Sequence, residues 1–174
     1  MKLLLFALLP LVQADISPNN SKAACPDRCS DGWTYFIETH ACYKNFFNAN
    51  FEEAESWCSF NGGHLASIHH AKENWFVAEL AKMGKKCSDI HDMTWIGLRE
   101  GPEKDKWTWT DGTKLDYNSW ASNSPDPKWK EGKRCVLLSS DTYVDSWTIG
   151  YQEWTDTRCS EKIRSFVCKK MPLH

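Results

Sequence analysis

Apolar positions set the first boundary along the chain. Lys2 is followed by an unbroken apolar run over residues 3–12, then by Gln13 and the small residue Ala14. Such a run is about half the roughly 20 residues a membrane-crossing helix needs, so residues 1–14 read as an export signal cut before Asp15. Residues 15–24 are polar, hold Pro18 and two asparagines, and read as a loose tail. Aromatic runs at 33–36 and 42–46 predict a hairpin. Phe51, Ala54, Trp57, Cys58 and Asn61 then recur at helical spacing, with Asn48 or Asn50 as cap and Gly62 at the end. Ala54, Trp57 and Cys58 are expected to share one face. A brief strand at 65–68 precedes a second helix over residues 71–83, carried by Phe76, Val77, Leu80 and Met83 and stopped by Gly84. Beyond it the texture changes to short aromatic or β-branched runs at 95–98, 107–110, 135–138, 151–155 and 165–169. Helices in one half and strands in the other predict an α+β fold with a mostly antiparallel sheet. Residues 115–134 follow no regular pattern, and a loop of that length is commonly functional. One domain over residues 25–170, followed by a short tail at 171–174, accounts for the chain.

Composition narrows the function. Of 174 residues 41% are hydrophobic and ten are tryptophan, which excludes disorder and supplies a real core. Twenty-one basic against 23 acidic residues leave −2, or −3 once Lys2 is removed with the signal, so no basic field exists to hold nucleic acid or an anionic membrane. No later stretch is long and apolar enough to span a bilayer. Eight cysteines behind an export signal point to an oxidising compartment and a disulfide framework, with the pairing left open by the spacing. Asn19 heads the sequon Asn19-Asn20-Ser21 in the tail, a candidate glycosylation site. His64, His69 and His70 read as surface residues rather than metal ligands, and no hydrolase elbow, phosphate loop or zincin motif occurs, so a binding protein is expected and a secreted hydrolase is the remote alternative. The charged stretches 100–106 and 128–134 read as solvated loop surface, the second also able to meet an acidic ligand.

Several segments in series resemble the C-type lectin-like domain family. They are Gly32-Trp33 with Phe36 and Cys42-Tyr43, Ala54-Glu55 with Trp57-Cys58, the passage from Gly62 to Ile68, and Trp95-Ile96-Gly97-Leu98. After these come the run from Trp107 to Gly112, Tyr117, Trp120, Trp154-Thr155-Asp156 before Cys159, and Phe166-Val167-Cys168. The resemblance covers residues 29–168 and implies two helices, short mostly antiparallel strands, a long irregular loop and the bridges Cys58–Cys168, Cys135–Cys159 and Cys29–Cys42. It further implies that Trp95, Trp107, Trp109, Trp120 and Trp154 pack beneath the loop. Cys25 and Cys87 lie outside the family's usual set and are paired by elimination.

The same resemblance implies where a ligand sits. Sugar-binding members hold calcium with a Glu-Pro-Asn or Gln-Pro-Asp triplet, a Glu shortly before a framework cysteine, and the last two residues of Trp-Asn-Asp. Here those places hold Ser124-Pro125-Asp126, Lys133 and Trp154-Thr155-Asp156. Calcium takes six to eight oxygen ligands, and only Asp126 and Asp156 keep carboxylates, with Glu131 as a nearby substitute. Lys133 places an ammonium where a carboxylate is expected, so the calcium motif is degenerate. Pro125 is positioned to hold the loop as a cis bond, and Asp126 leans toward the galactose-type triplet. Trp129 and Trp147 are the tryptophans expected to offer an aromatic face to a ligand. The expected ligand-binding set is thus Ser124, Asp126, Trp129, Glu131, Trp147, Thr155 and Asp156, the first expected ligand a glycan or glycoprotein, and the alternative a protein recognised without calcium. A role in surveillance follows only by analogy with other solitary secreted members.

Overall fold

The computed structural model describes residues 29–126, 132–142 and 149–172. The expected signal, Asn19, Cys25, Trp129, Glu131 and Trp147 lie outside the described residues. Eight strands form one sheet: β1 (Thr34–Phe36), β2 (Ala41–Ala49), β3 (His64–Leu65), β4 (Thr94–Glu100), β5 (Trp107–Trp109), β6 (Arg134–Leu138), β7 (Trp154–Arg158) and β8 (Ile163–Lys170). Helix α1 (Phe51–Phe60) follows β2, and α2 (Ala71–Ala81) follows β3. The strand order is β1-β2-β8-β4-β6-β7, with β3 joined to β8 and β5 to β4. Pairing is antiparallel throughout except that β4 runs parallel to β8.

Local chemistry explains the helix boundaries. Asn50 caps α1 by accepting from the Glu53 amide at 2.9 Å, while the Glu53 carboxylate accepts from the Asn50 amide at 3.0 Å, a reciprocal capping box. The buried stripe is Phe51, Ala54 and Cys58, and Trp57, at the edge of that face, stands 49% exposed. At about 100° per residue Trp57 lies roughly a quarter-turn from the centre of that stripe, and it packs edge-on against Phe46 instead. Helix α2 stops at Ala81, two residues short of expectation. Lys82 turns extended, and the buried Asp141 carboxylate accepts from the Met83 and Gly84 amides, drawing the chain out of the helix. The strand expected at 65–68 is only His64–Leu65, and the one expected at 151–155 starts at Trp154.

Two core layers face each other across the sheet. One holds Val77, Ala78, Ile96, Leu98, Trp109, Val136 and Trp154, and the other Phe51, Ala54, Leu65, Trp95, Leu137 and Phe166. Trp95 and Trp154 are fully buried, and each indole N–H has a partner: the Ala49 carbonyl at 3.1 Å and the Asn74 amide oxygen at 2.8 Å. Gly97 interrupts the apolar run of β4 for a steric reason. A Cβ there would sit 2.5 Å from the Leu65 carbonyl oxygen, so only glycine lets β4 lie this close to β3. Glu73 is buried at the start of α2 and is compensated by Lys169 Nζ at 2.7 Å, the Tyr43 hydroxyl at 2.6 Å and the His69 amide at 2.8 Å.

Among the described residues three disulfides are formed: Cys29–Cys42, Cys58–Cys168 and Cys135–Cys159. The second closes 110 residues and ties α1 to β8. Cys87 is a buried thiol that donates to the Asp92 carbonyl at 3.6 Å, and its expected partner Cys25 is outside the described residues. Titrating thiols in the oxidised, denatured chain decides that pairing. A Cys25–Cys87 bridge leaves no reactive thiol, whereas two reactive thiols per chain would refute it.

Candidate functional site

The site is built on the sheet edge where β6 and β7 meet the long loop. Ser124 and Asp126 lie at the end of the loop's first described part, and Thr155 and Asp156 lie on β7. The Ser124–Pro125 peptide is cis. Ser124 Oγ and Thr155 Oγ1 share a hydrogen bond at 2.8 Å, and the Asp126 amide donates to Asp156 Oδ1 at 2.9 Å. Four of the seven expected ligand-binding residues are therefore brought together, and the other three, Trp129, Glu131 and Trp147, are outside the described residues.

The residue that organises this cluster is Arg134, which sequence reasoning had placed in a solvated charge run. Its side chain is only 1% exposed. Nε and Nη2 donate to the two carboxylate oxygens of Glu100 at 3.0 and 2.6 Å, and Nη2 also donates to Asp105 at 2.6 Å. Nη1 donates to the Asp126 carbonyl at 3.1 Å and faces Asp156 Oδ2 at 3.5 Å, while the guanidinium carbon lies 5.0 Å over the Trp107 ring. Five donors in a rigid plane thus meet three carboxylates, one carbonyl and an aromatic face. The reading of residues 100–106 and 128–134 as solvated surface is corrected, because Glu100, Asp105 and Arg134 belong to one network whose centre is buried. Strand pairing explains the burial: β4 and β6 lie side by side, carrying the ends that hold Glu100 and Arg134 together.

Charge follows from this geometry. Hydrogen bonding from Arg134 holds the Glu100 carboxyl below the ordinary carboxylate range. Burial pushes the Asp156 carboxyl above its ordinary range, and the Asp126 amide and Arg134 offset that only in part.

The described donors do not fit a hard divalent cation. Both Asp156 oxygens are engaged, by an amide and by a guanidinium, and Ser124 and Thr155 bond each other. A calcium ion beside Asp156 would also have to sit against the Arg134 charge at close range. The interfering cation is Arg134, whereas Lys133 is exposed. Among the described residues no group of three or more His, Cys, Asp or Glu side chains converges as a metal site. The histidines serve elsewhere: His64 meets Glu55, His69 meets Asp116, and His70 caps α2.

Residues 48–170 match the model of the lectin C-type domain. The chain belongs to the C-type lectin domain family. Members of this family with this fold are binding proteins rather than enzymes. Among relatives, snaclec A9 of Macrovipera lebetinus is 34% identical over 146 residues, covering 81% of this chain and 97% of its own. Among solved structures, a calcium-independent type II antifreeze protein superposes with a TM-score of 0.65 at 25% identity, over 83% of this chain and 95% of that one. A calcium-dependent type II antifreeze protein, in its calcium-free form, gives 0.62 at 26%, over 82% and 99%. The C-type lectin fold therefore accommodates both behaviours, and the side chains of each member decide. Among the described residues no helix is long and apolar enough to cross a membrane.

Removing the central cation tests the arrangement. Arg134→Ala leaves Glu100 and Asp156 unpaired and is expected to cost about 3 to 5 kcal/mol in urea unfolding at neutral pH. A loss under about 1 kcal/mol would show that the network carries no stability. Because the folded Glu100 pKa is depressed, its contribution is fully present above its ordinary value of 4.5 and is lost as pH falls through the folded value. The gap between wild type and Arg134→Ala is accordingly expected to narrow on acidification below that value.

Proposed function

We propose that this chain is a secreted C-type lectin-like protein, released by removal of residues 1–14, that recognises carbohydrate through the long-loop face without calcium. The observation that supports calcium independence is Arg134, whose guanidinium faces the motif carboxylate of Asp156 and holds the Asp126 carbonyl, placing a fixed positive charge where a metal would sit. The partly exposed polar residues of this face are Ser124 and Asp126, held from behind by the buried Thr155 and Asp156, with Trp129 and Trp147 as proposed aromatic platforms for a sugar ring. The second reading, recognition of a protein ligand on the same face, is favoured by the same observation, because losing metal ligation removes the strongest sugar-specific contact.

Calcium titration followed by a glycan array separates these readings. Resident calcium at a hundredfold excess over its Kd would stabilise the fold by about 2.7 kcal/mol. The expected result is no calorimetric heat and no melting shift at millimolar calcium, with array signals unchanged in chelator. Signals that vanish in chelator would overturn calcium independence. An empty array, together with capture of a purified protein ligand that competes at the loop face, would move the assignment to protein recognition.

A further inference from the structure

A groove follows the Cys135–Cys159 bridge, next to the Arg134 network but outside it. It is made of two adjoining cavities of about 430 and 310 Å³ that share Glu52, Lys133 and Cys159. Arg158 lines the first and Arg99 the second, so three cations line one groove. Glu52, exposed on the first turn of α1, stands against them. The other lining carboxylate, Glu100, has both oxygens bonded to Arg134, so its charge is already balanced from within. Neither Arg99 nor Lys133 pairs with a carboxylate among the described residues, so these two cations outweigh Glu52 along the described walls although the whole chain is slightly acidic.

The backbone under these cations is tightly held. Arg99 on β4 is in register with Cys135, and Arg158 on β7 is in register with Arg134. The Lys133 carbonyl accepts from the Cys159 amide at 3.2 Å, and the Cys159 carbonyl accepts from the Phe51 amide at 3.0 Å. Strand pairing, a disulfide and a helix start thus fix the spacing of the chain segments that bear the charges. Guanidinium groups bind tetrahedral oxyanions through paired N–H donors, and a sulfate ester stays ionised at every physiological pH. Each of the two clefts is open to solvent, and each volume lies in the range of small-ligand sites. Ser160 and Thr108 on the walls add hydroxyl partners suited to a sugar.

We propose that this groove binds a sulfated glycan, with Arg99 and Lys133 on the sulfate groups. The choice of a sugar rests on the carbohydrate reading above, and the groove itself stands apart from the loop face.

The test uses the mature, oxidised full chain and a size-defined heparin octasaccharide, with its desulfated counterpart and poly-glutamate as controls, all in chelator. Binding to the octasaccharide is expected to weaken roughly tenfold between 50 and 200 mM salt. Arg99→Glu with Lys133→Glu is expected to reduce affinity about a hundredfold while the melting midpoint is unchanged. Glu52→Gln is expected to tighten binding about threefold, a gain that a merely structural role would not produce, and Lys85→Ala to change nothing. Equal binding of the desulfated octasaccharide, or no loss in the charge-reversed variant, overturns the proposal. Poly-glutamate binding as tightly as the octasaccharide would assign the groove to an acidic protein instead. Neutral glycans bound without calcium, alongside no heparin binding, would remove the groove and leave the loop-face reading standing. Heparin binding lost on charge reversal, with no neutral glycan bound, would do the opposite.

Discussion

Strand β8 is the constraint on which the rest of the fold depends. It pairs with β2 from Cys42↔Lys170 through Ala49↔Ile163, carries β3 beside the same strand, and lies parallel to β4. Its side chains feed both cores, Val167 into one and Phe166 with Cys168 into the other. Cys168 is bonded to Cys58, so α1 is covalently fastened to the last strand across 110 residues. Lys169, the next residue, neutralises the buried Glu73 of α2. Both helices thus take their positions from a strand near the end of the described chain, and the sheet is incomplete until that strand arrives.

On this scaffold the long-loop face is held by a charge that belongs to the chain. Arg134 binds Glu100 in a bidentate pair, supports the Asp126 carbonyl and stands by Asp156, functions for which a bound metal would also be suited. A guanidinium on a paired strand cannot dissociate, so the loop anchor does not vary with the ions outside. Burying it costs desolvation, and the cost is offset because every donor group of the guanidinium has a partner. One residue before Arg134, at Lys133, the chain changes from a balanced interior network to an open basic groove. Neighbouring residues in one short segment, Lys133 and Arg134, therefore take opposite roles: one is exposed for a ligand and the other is sealed for structure.

Much of this was legible in residue order. The capping asparagine and stop glycines bounded α1, the change from helical to alternating texture separated helices from strands, and the apolar strand Trp95-Ile96-Gly97-Leu98 marked the core. The exposure of Trp57 was not legible, because helical spacing alone does not say how wide the buried stripe is, and Phe46 gave that ring a surface to lie on. The end of α2 was misplaced because it is set by Asp141, a residue 57 positions away from Gly84, through contacts that leave no trace in the local pattern. On the long-loop face, motif position singled out Ser124, Asp126, Thr155 and Asp156, which the fold brings together, whereas Arg134 was missed because charge runs most often face water.

The sequence by itself determined the class of the fold, the residues available to the loop face and the weakness of its calcium motif. Those are properties of composition, spacing and residue chemistry, which do not require knowing what lies beside what. Only the tertiary structure decided which charges are counterparts. Glu100 and Arg134 are 34 residues apart, and they meet because β4 and β6 pair while β7 closes the other side. The sign and strength of an ion's influence depend on distance and solvent exposure, and both are fixed only when the sheet assembles.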